Sequence, residues 1–225
     1  MGEGDFCSTE QSVTIPAATT VTIEHVAADG TKTALKKNLT LLEGEIIDAS
    51  VMRKAALVAF LKKQIADAKA QGVLFSLHMK ATMMKVSDPI IFGHGVKTYF
   101  ADVFAKYGKR LEEIGADPNN GLGSVLAQVA ELPADERAEI EAAFAAGLET
   151  GPDLAMVDSD KGITNLHVPS DVIVDAYMPA LIRNGGKLWG VDGGEDDTLA
   201  VIPDSSYAGV YQAVIEDVIA HGPLD

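Results

Sequence analysis

The sequence predicts an α/β fold with a β-rich appendage at its N-terminus, and three observations support this prediction. Residues 12–47 are rich in β-branched side chains that alternate with polar ones, which is typical of strands. After residue 50, strand-like and helix-like runs alternate, as they do in α/β folds. The chain has 225 residues and is 47% apolar, so it can bury a large core. We therefore predict a single folding unit over residues 1–225, with residues 1–50 as the β-rich appendage and residues 51–225 as the α/β portion.

The appendage begins with two strand-like runs, Ser12–Ile15 and Val21–Val26. Ala28–Gly30 then predicts a hairpin turn, because an Asp-Gly pair tolerates positive φ. Asp48–Ser50 is typical of a helix N-cap, and apolar residues recur at helical spacing over residues 51–70. We expect a helix there, ended by the Gln-Gly pair that follows.

A short apolar run, Val73–Lys80, comes next and has a period of two, which predicts a strand. This period puts Ser76, His78 and Lys80 on one face and apolar side chains on the other. We expect the polar face to point at another group.

The rest of the chain is divided by glycine and proline signals into helices, strands and turns. We predict, in order, a helix from Asp88 to about Ile114, a turn-rich loop over Ala116–Gly123, a helix pair broken at Leu132–Pro133, a buried strand over Asp153–Val157, a helix over Asp171–Arg183 capped by Ser170, a hairpin over Lys187–Ile202 and an amphipathic helix over Ser205–His221. Within the helix pair, the alanine- and glutamate-rich residues 134–148 predict a solvated surface helix.

The charge of the chain argues against some classes of function. It carries 18 basic and 33 acidic residues, a formal net charge of −15, and only four of the basic residues are arginine. Such a field repels phosphate backbones and anionic membrane surfaces, so we expect no nucleic-acid partner and no membrane partner. No run of about 18 apolar residues and no charged-then-apolar leader is present, so we expect neither a transmembrane helix nor a signal peptide. The single cysteine, Cys7, excludes an internal disulfide and fits a cytoplasmic location.

The first candidate site residue is Lys80, at the carboxyl end of its predicted strand. In open α/β sheets, ligands bind outside the carboxyl ends of the strands. An ammonium group there is well placed to bind an anion or to transfer a proton. The alternative is a lysine whose ammonium merely reaches water, and spacing alone does not decide between the two.

A second candidate is the polar stretch Met156–His167, which contains Asp158, Asp160 and Asn165. Its oxygen and imidazole groups suit a hard divalent cation. The stretch lacks the glutamate that closes a calcium loop, so a turn held by Asx hydrogen bonds is the favoured interpretation. The acidic run Glu195–Asp197 is likewise explained by a solvated turn.

The third candidate lies in the predicted helix that starts at Asp171, a first-turn acid that the helix dipole favours. Asp175, one turn later, lies between apolar neighbours in the middle of that predicted helix. A buried carboxylate there is costly unless it is paired or bound to a metal. Pro179 lacks the N–H that would bond to the carbonyl of Asp175, so we expect a kink. Arg183, two turns beyond Asp175, approximately continues its face.

Common nucleotide and nucleophile motifs are absent from the sequence. There is no GxGxxG after a strand, no GxxxxGK followed by Ser or Thr, and no GxSxG. The sequence therefore predicts neither a Rossmann fingerprint nor a P-loop nor a serine triad.

Six stretches of the sequence are distinctive together: Gly4–Phe6, Gly72–His94, Pro118–Gly123, Asp158–Asp175, Ala200–Asp204 and Tyr207–Gln212. They resemble the monomeric type of NADP-dependent isocitrate dehydrogenase, and the resemblance covers essentially the whole chain. It implies an isocitrate/isopropylmalate dehydrogenase-like fold. Because the family's polypeptide is much longer, we expect this chain to be an internal segment, roughly the first half of the family's large domain.

The resemblance implies roles for three residues. Lys80 occupies the place of a lysine in a Lys-x-Thr-x-x-Lys stretch that takes part in proton transfer, with Thr82 and Lys85 behind it. Asp175 matches an aspartate that ligates Mg²⁺ or Mn²⁺, and Arg183 is a weaker match to a basic residue near the cofactor phosphate. The implied reaction is the metal-dependent oxidative decarboxylation of isocitrate to 2-oxoglutarate with reduction of NADP⁺.

The resemblance also implies that the active site is incomplete in these 225 residues. Isocitrate carries three carboxylates, whose binding needs several arginines, and among the four arginines only Arg183 is near a candidate site residue in the sequence. The family takes two further metal-binding aspartates and most of its cofactor contacts from segments outside this stretch. The remainder of the full-length polypeptide is therefore an expected partner.

A different class of function also fits the sequence. The chain would then be a non-catalytic acidic α/β module that self-associates through its β-rich appendage. Exposed strand edges are templates for pairing, so a strand-rich segment such as residues 12–47 offers a surface for a second copy.

Overall fold

The computed structural model describes residues 1–80 and 83–223, in which helices and short strands are mixed. The strands are β1 Gln11–Thr14, β2 Thr19–Val26, β3 Lys32–Leu41, β4 Ile46–Ala49, β5 Leu74–Leu77, β6 Met156–Asp158, β7 Ile163–Thr164, β8 Lys187–Trp189 and β9 Glu195–Val201. The α-helices are α1 Phe6–Thr9, α2 Lys54–Gln71, α3 Ser87–Tyr99, α4 Ala101–Glu113, α5 Leu122–Ala130, α6 Ala134–Thr150, α7 Val174–Arg183 and α8 Ala208–His221. Short 3₁₀ turns cover Pro118–Asn120, Pro169–Asp171 and Ser205–Tyr207. The predicted mixture of helices and strands is thus confirmed.

The first four strands form two antiparallel pairs, β1 with β4 and β2 with β3. The predicted hairpin turn between β2 and β3 is confirmed. Gly30 has a φ of +85°, and the N–H of Thr31 donates to the carboxylate of Asp29 at 2.9 Å. Most side chains of these four strands are exposed, and within them only Leu41 is buried. The two pairs are therefore held mainly by their backbone hydrogen bonds.

A three-stranded sheet in the order β5, β9, β8 organises the later part of the chain. β9 runs parallel to β5 and antiparallel to β8. Phe75 and Leu77 pack with buried residues of α2 to α6, whereas Leu74 packs with residues of α7 and α8. Successive residues of β5 thus point to opposite faces, and both faces are covered by helices. This explains why all four residues of β5 are buried.

The edge of β5 that faces away from β9 is paired with other segments of the chain. Phe75 donates its N–H to the carbonyl of Asp153 at 2.7 Å and accepts from the N–H of Ala155 at 3.0 Å. Leu77 bonds instead to the side-chain amide of Asn165, which accepts from its N–H at 2.6 Å and donates to its carbonyl at 3.2 Å. Asn165 thus acts as a side-chain substitute for a strand neighbour, and its side chain is completely buried.

The predicted start of the first long helix is wrong. α2 begins at Lys54 rather than at Val51. Asp48, expected in the helix cap, lies in β4 and pairs with Ser12. The N–H of Val51 donates to the hydroxyl of Thr9 at 2.9 Å. Strand pairing up to Ala49 and the bond from Val51 to Thr9 thus precede the start of α2.

The single helix expected between Asp88 and Ile114 is also wrong, because the chain divides at Phe100 into α3 and α4. Phe100 is only 1% exposed, and its ring packs edge-on against that of Phe144 at a centroid distance of 5.1 Å. A Cβ added at Gly147 would lie 2.8 Å from the Phe100 ring. The break places the Phe100 ring in close contact with α6.

Several other elements are as predicted. α5 and α6 are separated at Leu132–Pro133, and α6 is largely exposed, with Ile140 and Phe144 as its buried residues. A turn over Asp192–Gly194 joins β8 to β9. Among the helices described, none is both long and apolar enough to cross a membrane.

Replacing Asn165 by alanine is expected to lower the free energy of unfolding by about 2–4 kcal/mol, because the buried N–H and carbonyl of Leu77 would both lose their partner. Urea unfolding followed by circular dichroism measures this loss. Asn120→Ala is the matched control, since Asn120 is exposed and its loss is expected to stay within about 0.5 kcal/mol. Equal losses for the two variants would contradict the role given to Asn165.

Candidate functional site

The chain beyond β5 is joined to the start of α7 by a parallel β-bridge between Met79 and Ile173. The N–H of Met79 donates to the carbonyl of Val172 at 2.7 Å, and the N–H of Val174 donates to the carbonyl of Met79 at 2.8 Å. Lys80 follows Met79 directly and lies just beyond the carboxyl end of β5. The bridge therefore brings Lys80 to the first turn of α7.

Lys80 and Asp175, both predicted as site residues, are in contact. Nζ of Lys80 forms an ion pair with Oδ2 of Asp175. The side chain of Lys80 is 15% exposed, whereas that of Asp175 is 61% exposed. The Lys80 ammonium thus contacts a carboxylate, and the carboxylate of Asp175 remains accessible to a ligand.

The predicted setting of Asp175 in the middle of a helix is wrong. α7 begins at Val174, because Val172 and Val174 bond to Met79, and Asp171 belongs to a 3₁₀ turn. Ser170 does not cap this helix, whose N-cap is Ile173 with no side-chain cap. Asp175 thus lies in the first turn, where the helix dipole favours a carboxylate, and it is exposed rather than buried.

The polar face of β5 ends in a buried network around His78, whose side chain is completely buried. Nε2 of His78 lies 2.8 Å from the hydroxyl of Ser76, and Nδ1 lies 2.8 Å from the hydroxyl of Tyr211 in α8. The ring of Tyr177 in α7 lies 4.8 Å from the His78 ring, centroid to centroid. The group expected opposite this face is therefore provided by α7 and α8. Neither tyrosine was predicted as a site residue from the sequence.

Burial determines the ionisation of this network. It lowers the pKa of His78 to about 3 and raises the pKa values of Tyr177 and Tyr211. All three side chains are therefore uncharged near neutral pH. His78 is therefore a buried, neutral link between β5 and the helices, two residues before Lys80.

The cation site considered within Met156–His167 is not formed. Asp158 accepts from the N–H of Lys161 at 3.2 Å and from its Nζ at 2.7 Å. These bonds agree with the favoured interpretation of a turn held by Asx hydrogen bonds. Asn165 points inward to β5, and Nδ1 of His167 accepts from the N–H of Thr164 at 3.0 Å. Within residues 1–80 and 83–223, no group of three or more His, Cys, Asp or Glu side chains could hold a metal ion.

Arg183, the third predicted site residue, lies apart from the Lys80–Asp175 pair. Arg183 is exposed in the last turn of α7, about 12 Å along the helix axis from Asp175 at the usual rise per residue. Lys85 is exposed, and Thr82 lies outside the described residues. Glu195–Asp197 is exposed as expected, but it lies in β9 rather than in a turn.

Asp175 is the residue of this pair that could contribute an exposed carboxylate to a divalent metal site. Mg²⁺ and Mn²⁺ prefer oxygen ligands, and Mg²⁺ takes six. Asp175 fits one such position, and the remaining ligands would have to come from other groups. Among the described residues, Asp175 could therefore offer one ligand to such a metal but not a complete set.

The fold and the site define an α/β protein with a paired ammonium and carboxylate at the carboxyl end of a parallel strand, where α/β enzymes bind their ligands. All 225 residues match the family model described as monomeric isocitrate dehydrogenase. The chain belongs to the monomeric isocitrate dehydrogenase family, as its resemblance predicted.

Three curated relatives illustrate the match. The chain is 60% identical to isocitrate dehydrogenase (NADP) of Corynebacterium glutamicum, 55% to that of Azotobacter vinelandii and 46% to isocitrate dehydrogenase (NADP) 2 of Mycobacterium tuberculosis. Each match covers 100% of this chain and 30% of the relative. The chain thus spans about three tenths of the length of these relatives.

The low pKa of His78 predicts a loss of stability in acid. The unfolded chain binds a proton at His78 near pH 6.5, whereas the folded chain does so only near pH 3. Folded-state stability is therefore lost as the pH falls below about 6.5, by about 2 kcal/mol between pH 7 and pH 5. This contribution is absent in His78→Gln. The difference in the free energy of unfolding between the unsubstituted chain and His78→Gln should therefore be about 2 kcal/mol smaller at pH 5 than at pH 7.

Urea unfolding at pH 7 and pH 5 measures this change. The same substitution at His25, an exposed histidine, is the control. Equal pH dependence of the His78→Gln and His25→Gln variants would contradict the prediction.

Proposed function

We propose that this chain is a segment of an NADP-dependent isocitrate dehydrogenase that catalyses the metal-dependent oxidative decarboxylation of isocitrate to 2-oxoglutarate. The observation that carries the proposal is the contact between Lys80 and Asp175 in a chain that belongs to this family. The names of its relatives support NADP as the cofactor. We further propose an isocitrate/isopropylmalate dehydrogenase-like fold, one folding unit over residues 1–225, with residues 1–50 as a β-rich appendage and residues 51–225 as the α/β portion.

Lys80 is the proposed proton carrier. When bound, NADP⁺ accepts a hydride from the alcohol carbon of isocitrate. The substrate also loses its hydroxyl proton and carbon dioxide. The carbon that carried the departing carboxylate then takes up a proton. The Lys80 ammonium is largely shielded from water and is held against Asp175. It is therefore in position to exchange a proton with a substrate atom near that carboxylate.

Asp175 is the proposed metal ligand of this chain. When bound, Mg²⁺ or Mn²⁺ polarises the ketone formed by oxidation and stabilises the charge that develops as carbon dioxide leaves. The carboxylate of Asp175 is exposed and lies beside the proton-carrying lysine. Asp175 would thus keep the metal-binding and proton-transfer groups adjacent.

Arg183 is proposed to contact the phosphate of NADP. Its guanidinium is exposed at the end of α7, and arginine binds phosphate in a bidentate geometry. Its distance from Asp175 along α7 suits a contact with the cofactor rather than with isocitrate.

The proposed site needs the remainder of the full-length polypeptide as its partner. The chain spans 30% of its relatives and offers one carboxylate ligand to the metal. We propose a cytoplasmic location for the complete enzyme, because its lone cysteine here, Cys7, is an exposed free thiol that suits a reducing compartment.

A non-catalytic module that self-associates through residues 11–49 is the second candidate. Large apolar side chains of these strands are exposed, among them Val13 (55%), Leu35 (67%) and Ile46 (68%). Such side chains beside strand edges suit pairing with a second copy.

The isolated chain is expected not to reduce NADP⁺ when given isocitrate and Mg²⁺, because it lacks most of the metal and carboxylate ligands. A chimera in which it replaces the matched segment of the C. glutamicum relative is expected to reduce NADP⁺. Absorbance of NADPH measures both. Turnover by the isolated chain would contradict the incomplete site, and a folded but inactive chimera would contradict the proposed function and favour the module.

In that chimera, Lys80→Met is expected to lower kcat by about 10²- to 10⁴-fold, the usual contribution of a proton-transfer group, with a much smaller change in KM for isocitrate. Asp175→Asn is expected to raise the Mg²⁺ concentration for half-maximal rate at least about tenfold. Loss of groups that only support metal ligands already lowers metal affinity by about tenfold or more.

Steady-state rates against isocitrate and Mg²⁺ measure both effects. Lys109→Met, at a 91% exposed side chain, and Asp135→Asn, at an exposed first-turn acid of α6, are the controls. Kinetics like those of the controls would show that the role belongs to a different residue.

A further inference from the structure

The N–H of Lys80 has an unusual partner. β9 ends at Val201, whose carbonyl accepts from the N–H of His78 at 2.8 Å. Alternate residues of a parallel strand bond to the same neighbour, so the N–H of Lys80 is the next donor on this edge, beyond the end of β9. It donates to Oδ2 of Asp88 at 2.8 Å. Asp88 thus takes the position that a further residue of β9 would occupy.

We propose that Asp88 is a positioning residue for Lys80: its carboxylate holds the peptide group of Lys80 and sets the direction in which the ammonium leaves the strand. The inference rests on the proposed function, because this direction matters to catalysis only if Lys80 carries a proton. The sequence pattern assigned Asp88 only the start of a helix.

The environment of Asp88 supports this role. Asp88 is 5% exposed and lies in the first turn of α3, where the helix dipole favours a negative charge. The hydroxyl of Ser87 also donates to it, at 3.2 Å. Burial raises the pKa of Asp88 despite the hydrogen bonds from Lys80 and Ser87. Since a buried carboxylate is costly without donors, the bond to Lys80 stabilises both residues.

The carbonyl side of Lys80 is held as well. Its oxygen accepts from the N–H groups of Met83 at 3.0 Å and Met84 at 2.9 Å, and the N–H of Asp88 donates to the carbonyl of Met84 at 3.0 Å. The ammonium is held by Asp175. Lys80 is thus fixed at its N–H, its carbonyl and its side chain, and Asp88 provides the first of these three contacts.

Three variants separate the hydrogen bond from other effects. Asp88→Ala removes the acceptor, whereas Asp88→Asn keeps an acceptor oxygen and removes the charge. Asp102→Ala is the matched control, because Asp102 is the second residue of α4, as Asp88 is of α3, and it is exposed.

The first measurement needs no activity. In the 225-residue chain labelled with ¹⁵N-lysine, the Lys80 amide is assigned by its loss in Lys80→Arg. We expect this amide to be protected from solvent exchange, and the protection to fall at least about tenfold in Asp88→Ala. In Asp88→Asn the protection should persist with a changed chemical shift, and in Asp102→Ala neither should change.

The second measurement is kinetic and uses the chimera described above. Asp88→Ala is expected to lower kcat by about 10- to 100-fold, as small misplacements of a reacting group do, with a smaller change in KM for isocitrate. Asp88→Asn should recover most of the lost kcat. Asp102→Ala should match the unsubstituted chimera.

The outcomes distinguish the two proposals. Unchanged Lys80 protection in Asp88→Ala, or an Asp88→Asn chimera as slow as Asp88→Ala, would overturn the positioning role. An inactive unsubstituted chimera would contradict the proposed function, while the amide measurement would still decide the role of Asp88. If Asp88→Ala fails to fold, an unchanged Lys80 amide shift in Asp88→Asn would itself overturn the inference.

Discussion

The hydrogen-bond requirement of β5 is the constraint on which the rest of the structure depends. All four residues of this strand are buried, so its N–H and carbonyl groups need protein partners on both edges. β9 provides one edge. Residues 153–155 and the amide of Asn165 provide the other, and residues 172–174 continue that edge at Met79, beyond the end of β5. Three separate segments are thereby drawn to β5 and its continuation, and the last of them brings the start of α7 to Lys80.

Just beyond β5, the polar side chains change from completely buried at His78 to accessible at the Lys80–Asp175 pair. His78 is completely buried, uncharged and bonded on both ring nitrogens. Lys80 is charged and contacts an exposed carboxylate. A neutral network beneath the site keeps β5, α7 and α8 in one arrangement, while the charged pair at its end remains open to ligands. The proposed site would require such a rigid base beneath an accessible pair.

The distribution of arginine fits the proposal that this segment alone does not bind a tricarboxylate. Arg110 bonds to Glu136 at 2.7 and 3.1 Å, and Arg137 lies 3.9 Å from Glu141. Arg53 is the N-cap residue of α2, and Arg183 ends α7. Arg110 and Arg137 are thus paired on helix surfaces. In a chain of net charge −15, the described cation in contact with Asp175 is the Lys80 ammonium.

The sequence by itself determined the local features: the turn at Gly30, the glycine end of α2, the strand that precedes Lys80, which ends at Leu77, and the family. Each depends on neighbouring residues or on short motifs. The tertiary structure alone decided the setting of Asp175, because bonds to Met79 delay the start of α7 and make a carboxylate expected in mid-helix a first-turn, exposed one. It likewise decided the partner of His78, a tyrosine 133 residues away. Contacts between residues so distant in sequence leave no periodic signal, since packing and not local conformation selects them.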